Sequence, residues 1–241
     1  LRVGNDVATI EEVMGVIEIL SSRREYTKAS PFVVLLAKGD HEVKSSWTNQ
    51  YGNVSQTTLG ITRSHIKFLG DGKDETTILG GFAIVNLENI SFKQMTVTNA
   101  SDGGHGIYLT NAKVELFDVA LKGCGDTGLY VSSNTSETIV VATRCEFANS
   151  RHGAVVRGSL TSATFKNCVF KDNENDGIFV SGATVHFHGE ATAIHSNGDD
   201  GIYVTGTGKV IFHLPSDHNT LYNNGRDRFT TSGGTITNVE D

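Results

Sequence analysis

A chain of 241 residues, 38% hydrophobic and 20% charged, suits one large domain or two small ones. Its net charge of −7 argues against nucleic acid held by a general electrostatic field, and no apolar run approaches the roughly 18 residues of a membrane span. Three cysteines, Cys124, Cys145 and Cys168, are too few and too odd in number for a disulfide framework, while 27 glycines against two prolines imply many sharp turns.

In chain order, Ile10, Val13, Met14, Ile17 and Leu20 recur at helical spacing, and Thr9 with Glu12 makes a capping-box pattern. An amphipathic helix over residues 9–22 is predicted, covering the open end of an apolar core. The chain begins at Leu1 with neither a start methionine nor a signal-peptide pattern, so it reads as a mature protein or a piece of a longer one. Strands are predicted from Phe32 to Ala37, Ile61 to Leu69 and Thr77 to Leu79. Residues 44–60, with Trp47 and Tyr51 on a polar stretch, read as a long loop.

Over residues 99–229 the chain repeats. The segments His105-Gly106-Ile107-Tyr108-Leu109, Thr127-Gly128-Leu129-Tyr130-Val131, His152-Gly153-Ala154-Val155-Val156, Asp176-Gly177-Ile178-Phe179-Val180 and Asp200-Gly201-Ile202-Tyr203-Val204 place glycines 22, 25, 24 and 24 residues apart. Asp227-Arg228-Phe229 is a degraded sixth copy. Asn149, Asn173 and Asn197 stand four residues before their glycines, with Asn223 in a similar place before Asp227. Each period holds several short runs of alternating apolar residues broken by Gly, Asn, Asp or Ser, which is a strand signal and too short for helices. Three strands and three turns in about 24 residues make one coil, and coils stack about 4.8 Å apart through backbone hydrogen bonds. The residues just after the glycine and two further on point inward; the one between them faces out. The expected fold is all-β, a parallel β-helix solenoid forming a single domain over residues 1–241, with an N-terminal capping helix. Thr230 to Asp241 carries no evident cap, so the solenoid continues beyond the chain or a partner associates end to end with it.

With the Thr9-Ile10-Glu11-Glu12 helix start, the Ala37-Lys38-Gly39-Asp40 turn, Leu69-Gly70-Asp71-Gly72 and the Gly-Ile-Tyr-Val-like rungs, the chain resembles the pectin-lyase-like family of right-handed β-helices. The resemblance covers nearly the whole length. It implies the fold and a slight preference for an extracellular or surface location, leaving the compartment open, but it does not fix an activity, because the family holds lyases, epimerases, polygalacturonases, tailspikes and adhesins. Gly104-His105-Gly106 is similar to the Gly-His-Gly element of polygalacturonases, whose upstream Asn-Thr-Asp and Asp-Asp elements are missing here, and the epimerase Asp-Pro-His pattern is absent.

The outward column Tyr108, Tyr130, Val155, Phe179 and Tyr203 forms a platform on which sugar rings can lie, although such stacking also stabilises a sheet without a ligand. His105, Asp176 and Asp200, each just before its glycine, border the column and join the binding set. One rung breaks the pattern: Val155 replaces an aromatic residue, and Arg157 stands where other rungs have Thr110, Ser132, Ser181 and Thr205. There Arg151 and Arg157 are candidates to neutralise a uronate, His152 to take a proton and Tyr130 to supply one; the alternative is a solvated charge pair. Asp172, Glu174 and Asp176 resemble half a calcium loop, with Asp199 and Asp200 one rung away, so calcium is a possible ligand although the turn is no EF-hand. His186 and His188 alternate with inward residues, and aligning Val185 with Val210 stacks His213 beside His188, a set able to hold a transition metal. No other cofactor is indicated. The leading reading is a non-catalytic module whose elongated aromatic and polar face binds a polysaccharide or a protein partner. The alternatives are a lyase or epimerase of uronic-acid chains and a structural spacer within a longer adhesin or virion protein.

Overall fold

The computed structural model describes residues 1–4, 6–133, 135–215 and 219–240. Among them the one α-helix is Ile10–Ser21, and every strand pairing is parallel except a small ribbon of Trp47–Thr48 against Val54–Ser55. No helix is long and apolar enough to cross a membrane.

Each coil gives a strand to each of three columns. In one coil these are Thr127–Ser132, Thr138–Thr143 and Glu146–Ala148, after which His152–Arg157 opens the next. The first column is a sheet of eight strands from Thr58–Gly60 to Arg226–Thr230, and the other two join in a second, larger sheet. The turn from the second column to the third is made by one residue of positive φ, namely Gln94, Asp118, Arg144, Asn167 or Gly189 in successive coils. In two of these turns the chain binds itself across coils: Arg144 grips Asp118 with two bonds of 2.8 and 2.6 Å. Inward residues form one continuous core. Its centre is a pile of fully buried phenylalanines, with Phe68 stacked on Phe92 at 5.0 Å, Phe147 on Phe170 at 4.7 Å and Phe187 on Phe212 at 4.8 Å. Cys145 and Cys168 sit side by side in this core as free thiols, and burial pushes the Cys168 thiol well up.

The repeated glycines have a cause other than a sharp turn. A Cβ on Gly153 would lie 2.5 Å from the Gly177 carbonyl oxygen, and one on Gly177 would lie 2.7 Å from that of Gly201. None of the repeat glycines has a positive φ. They are required because the coil above passes too close for any side chain.

The asparagine column differs by one residue from its expected register. Asn149 and Asn223 occupy left-handed turn positions, with φ of 52° and 58°. The buried ladder instead runs Ser150, Asn173, Asn197, Asn224. Asn173 Nδ2 donates to Asn197 Oδ1 at 2.8 Å, Asn197 Nδ2 donates to Asn224 Oδ1 at 2.8 Å, and the Ser150 amide donates to Asn173 Oδ1 at 3.2 Å. In the coil of Ser150 only three residues separate the ladder from its glycine, whereas the next two coils use four, so counting back from the glycine selects the wrong residue there.

At the N-terminus Thr9 Oγ1 accepts from the Glu12 amide at 3.3 Å, while Glu12 Oε2 accepts from the Ala8 amide at 2.9 Å, a capping box shifted by one residue. Ile10, Val13, Met14 and Ile17 enter the core, so the helix caps it as expected. Arg63 holds the outer face of the helix through Glu18, with its shortest bond 2.7 Å. Residues 44–60 are not a plain loop: besides the ribbon they contain Thr58–Gly60, the first strand of the eight-stranded sheet. The expected strand from Ile61 to Leu69 contracts to Ile66–Leu69, because His65 takes a φ of 64° and turns the chain just before it.

Candidate functional site

The eight-stranded sheet sets Tyr108, Tyr130, Val155, Phe179, Tyr203 and Phe229 in register on consecutive coils. Tyr108 and Tyr130 lie parallel, with centroids 5.3 Å apart and 5° between planes. Trp47 comes off the ribbon onto Tyr108 at 5.3 Å, and the His105 ring stacks on Tyr130 at 5.0 Å. Farther along, Phe179 meets Tyr203 edge-on at 5.1 Å and Tyr203 meets Phe229 at 5.2 Å. All of these aromatic rings are half-buried. Burial pushes the Tyr108 phenol up, with the neighbouring Tyr130 adding to the shift. Trp47 was hidden from sequence reading because it lies outside the repeat; its one signal was a lone tryptophan on a polar stretch.

Between the two aromatic groups Val155 is buried. The Arg157 guanidinium extends from the same strand to within 5.0 Å of the Phe179 ring centre, so the arginine fills room that a smaller neighbour leaves. His152 and Arg157 stand at opposite ends of one strand, five residues or about 16 Å apart. Tyr130 pairs with Val155, whose Cα is three residues or about 10 Å along from that of His152, a span that the rings of His105 and Tyr108 close to 5.9 Å.

Directly before the glycines runs a second column: His105, Thr127, His152, Asp176, Asp200, Arg226. Asp176 and Asp200 are only 5% and 2% exposed, so they lie beneath the aromatic face rather than on it, which corrects their expected place in a binding surface. His152 Nδ1 comes within 3.3 Å of Asp176 Oδ2 but outside hydrogen-bonding alignment, and Asp176 Oδ1 accepts from the Asp200 amide at 3.2 Å. His105 Nδ1 is 3.7 Å from Asp126 Oδ2, and Arg151 approaches the same carboxylate at 4.0 Å. Burial pulls the His105 pKa down against the raising effect of Asp126.

Asp200 holds Arg226 by two bonds of 2.6 and 3.0 Å. Burial still pushes its carboxyl up, opposed by Arg226 and aided by Asp176 and Asp199. A carboxyl raised in the folded state makes a contribution that is present at low pH and lost as pH rises through the raised value. Removing the guanidinium raises it further. Arg226→Gln is therefore expected to lower the melting temperature more at about pH 7 than at about pH 4, as thermal scans at both values will test. An equal deficit at both would contradict it.

Asp172, Glu174 and Asp199 are exposed at turns, and among the described residues no three carboxylates converge as a calcium site would need. Asp200 is taken by Arg226 and Asp176 is turned inward, which removes two of the five expected oxygen donors.

The histidines do converge. His186 and His188 project from Thr184–His188, and His213 from the neighbouring strand Lys209–Leu214. The His188 and His213 rings stack at 3.8 Å, and His186 Nδ1 lies 2.9 Å from His213 Nε2. Burial lowers the His186 pKa, and His213 adds to the shift. This cluster is on the larger sheet, away from the aromatic column.

No curated protein sequence matches the chain. Solved structures share its fold at low identity. The ORF18 protein of Geobacillus virus E2 has a TM-score of 0.54 at 14% identity over 94% of this chain; the match spans 56% of that protein's length. The pectate lyase Pel9A has a TM-score of 0.56 at 14% identity, with 87% of this chain and 70% of that one covered. The pectin methylesterase PemA from Erwinia chrysanthemi has 0.53 at 13%, with 94% and 78% covered. At such identities the likeness is one of fold. The model of the family described as the right handed beta helix region matches residues 80–241, more than half of the chain. The coils described above thus belong to a member of the right-handed β-helix family.

Proposed function

We propose that the eight-stranded face is a non-catalytic binding surface for an extended polysaccharide. The observation that carries this reading is the run of half-exposed rings at coil spacing, from Trp47 through Tyr108 and Tyr130 to Phe179, Tyr203 and Phe229. Half-exposed rings repeating at about 5 Å along a straight sheet suit an extended polymer better than a compact ligand. The pectate lyase and pectin methylesterase that share the fold carry names of enzymes acting on pectic polymers, which agrees with a polysaccharide partner. The net charge of −7 favours a neutral chain over a uronan.

Affinity gels containing a neutral glucan, a mannan or a polygalacturonate test the proposal. Retardation by at least one polymer is expected, and the Tyr108→Ala/Tyr130→Ala/Tyr203→Ala variant should bind about tenfold more weakly or worse. Unchanged retardation of a folded variant, or none by any polymer, would overturn it.

A second reading, uronan lyase or epimerase activity at His152, draws support from the buried Asp176 carboxylate facing the imidazole. It predicts a rise in ultraviolet absorbance from an unsaturated product, or changed uronate stereochemistry, lost in His152→Ala. Binding without turnover favours the first reading.

A further inference from the structure

We propose that His186, His188 and His213 form a binding site for a divalent transition metal such as Cu(II), Ni(II) or Zn(II). The site is independent of the aromatic face and does not rest on the polysaccharide reading.

Three features of the chain build it. His186 and His188 are two residues apart on one strand, so both project from the same side of the sheet. Pairing of Val185 with Val210 and Phe187 with Phe212 fixes the register that sets His213 beside His188. Beneath them these four residues are buried, and Phe187 stacks on Phe212 at 4.8 Å, so the backbone carrying the imidazoles rests on packed core. The imidazoles themselves are half-buried.

The nitrogen geometry suits a shared ion. One ligand nitrogen from each ring lies within 4.8 Å of the other two. Metal–imidazole bonds are about 2.0–2.1 Å, so two donors at right angles stand about 2.9 Å apart and two at the tetrahedral angle about 3.4 Å. His186 Nδ1 and His213 Nε2 are 2.9 Å apart as a hydrogen-bonded pair, close enough for one ion to take the place of the shared proton. Imidazole nitrogens suit Cu(II), Ni(II) and Zn(II), and affinity at such a site generally rises to Cu(II). Donors on one ion can be no more than about 4.2 Å apart, and His188 is stacked on His213, so it completes the set by turning its ring out of that stack until its lone pair meets the ion.

Coordination needs a lone pair on both paired nitrogens. In the metal-free pair one imidazole donates its N–H to the other. On binding, that ring carries its proton on its other nitrogen, so a neutral pair takes up the ion with no net proton change. Three imidazoles leave coordination positions for water or an outside ligand, and the ion joins two successive coils. Its chemical class is therefore a surface metal centre that braces the solenoid.

Isothermal titration of the full chain, carrying no polyhistidine tag, with CuCl2, NiCl2 and ZnCl2 tests the site. One equivalent of Cu(II) is expected to bind more tightly than Zn(II), with nitrogen hyperfine splitting in the electron paramagnetic resonance spectrum. Saturating Ni(II) should raise the melting temperature by about 5 °C. His186→Gln/His213→Gln should weaken Cu(II) binding about a hundredfold and abolish the thermal shift, while His195→Gln, on another column, should leave both unchanged. The melting temperature of the metal-free double variant shows whether it folds, and His188→Gln, predicted to bind about tenfold more weakly, serves if it does not. Absence of binding by the native chain, or equal binding by the folded variants, would overturn the proposal.

Discussion

Asn197→Leu is expected to destabilise the chain by about 3–5 kcal/mol, although leucine is close in size and the site is buried. Asn197 makes four bonds with its side chain: Oδ1 accepts from the Asn173 amide at 3.3 Å and from Asn173 Nδ2 at 2.8 Å, while Nδ2 donates to the Phe170 carbonyl at 3.2 Å and to Asn224 Oδ1 at 2.8 Å. Leucine satisfies none of them. Each orphaned buried polar group costs about 1–3 kcal/mol, and the sum is less than additive because neighbours relax. Asn224→Leu removes the end of the same ladder, where the residue is partly exposed, so its effect should be smaller. Urea denaturation of both variants at matched slope measures the difference. Equal and small losses would mean that the ladder is incidental to stability.

The solenoid was legible in the sequence because its signal is repeated. Alternation within runs such as Ile178-Phe179-Val180, returning every two dozen residues, states both strand and coil, and the core follows from inward parity. The capping helix was legible from its apolar spacing and the Thr9/Glu12 pair. Features that occur once, or that depend on the length of one turn, were not. The ladder register failed at Ser150 because one coil spends a residue less on its corner. Trp47 escaped because it reaches the aromatic column from a ribbon outside the repeat. Asp176 and Asp200 were read as surface groups because an acidic residue before a glycine ordinarily marks a solvated turn, whereas here both side chains are buried. The histidine cluster followed from parity and one register alignment, since lateral stacking turns sequence positions 25 to 27 apart into neighbours. Whether the polar rims bind anything cannot be reached by periodicity, because stacking and binding use the same rings.

Gly153→Ala should cost about 3 kcal/mol or more, while Gly182→Asn should stay within about 1 kcal/mol, although the first glycine has ordinary backbone angles and the second does not. Gly182 adopts a φ of 71°, a conformation asparagine tolerates, and the nearest atom to an added Cβ there is 3.9 Å away. At Gly153 an added methyl would meet the Gly177 carbonyl oxygen at 2.5 Å, Asn173 Nδ2 at 2.9 Å and the Phe147 Cβ at 3.3 Å. The first of these is backbone held in the sheet ladder and the second belongs to the buried asparagine column, so neither can swing aside. Relief requires parting two coils, which strains the pairing of Ala154 with Ile178 and the ladder bond from Ser150 to Asn173 together. Because each coil contacts only its neighbours, the break is expected to divide the solenoid at that plane, with unfolding changing from one transition to two. Denaturation followed by tryptophan fluorescence, which reports the ribbon at Trp47, and by far-ultraviolet dichroism, which reports all coils, would reveal the split as non-coincident curves. A Gly153→Ala chain that unfolds in one transition with near-native stability would show that the coils can move apart freely, and that the glycine column is not set by their close approach.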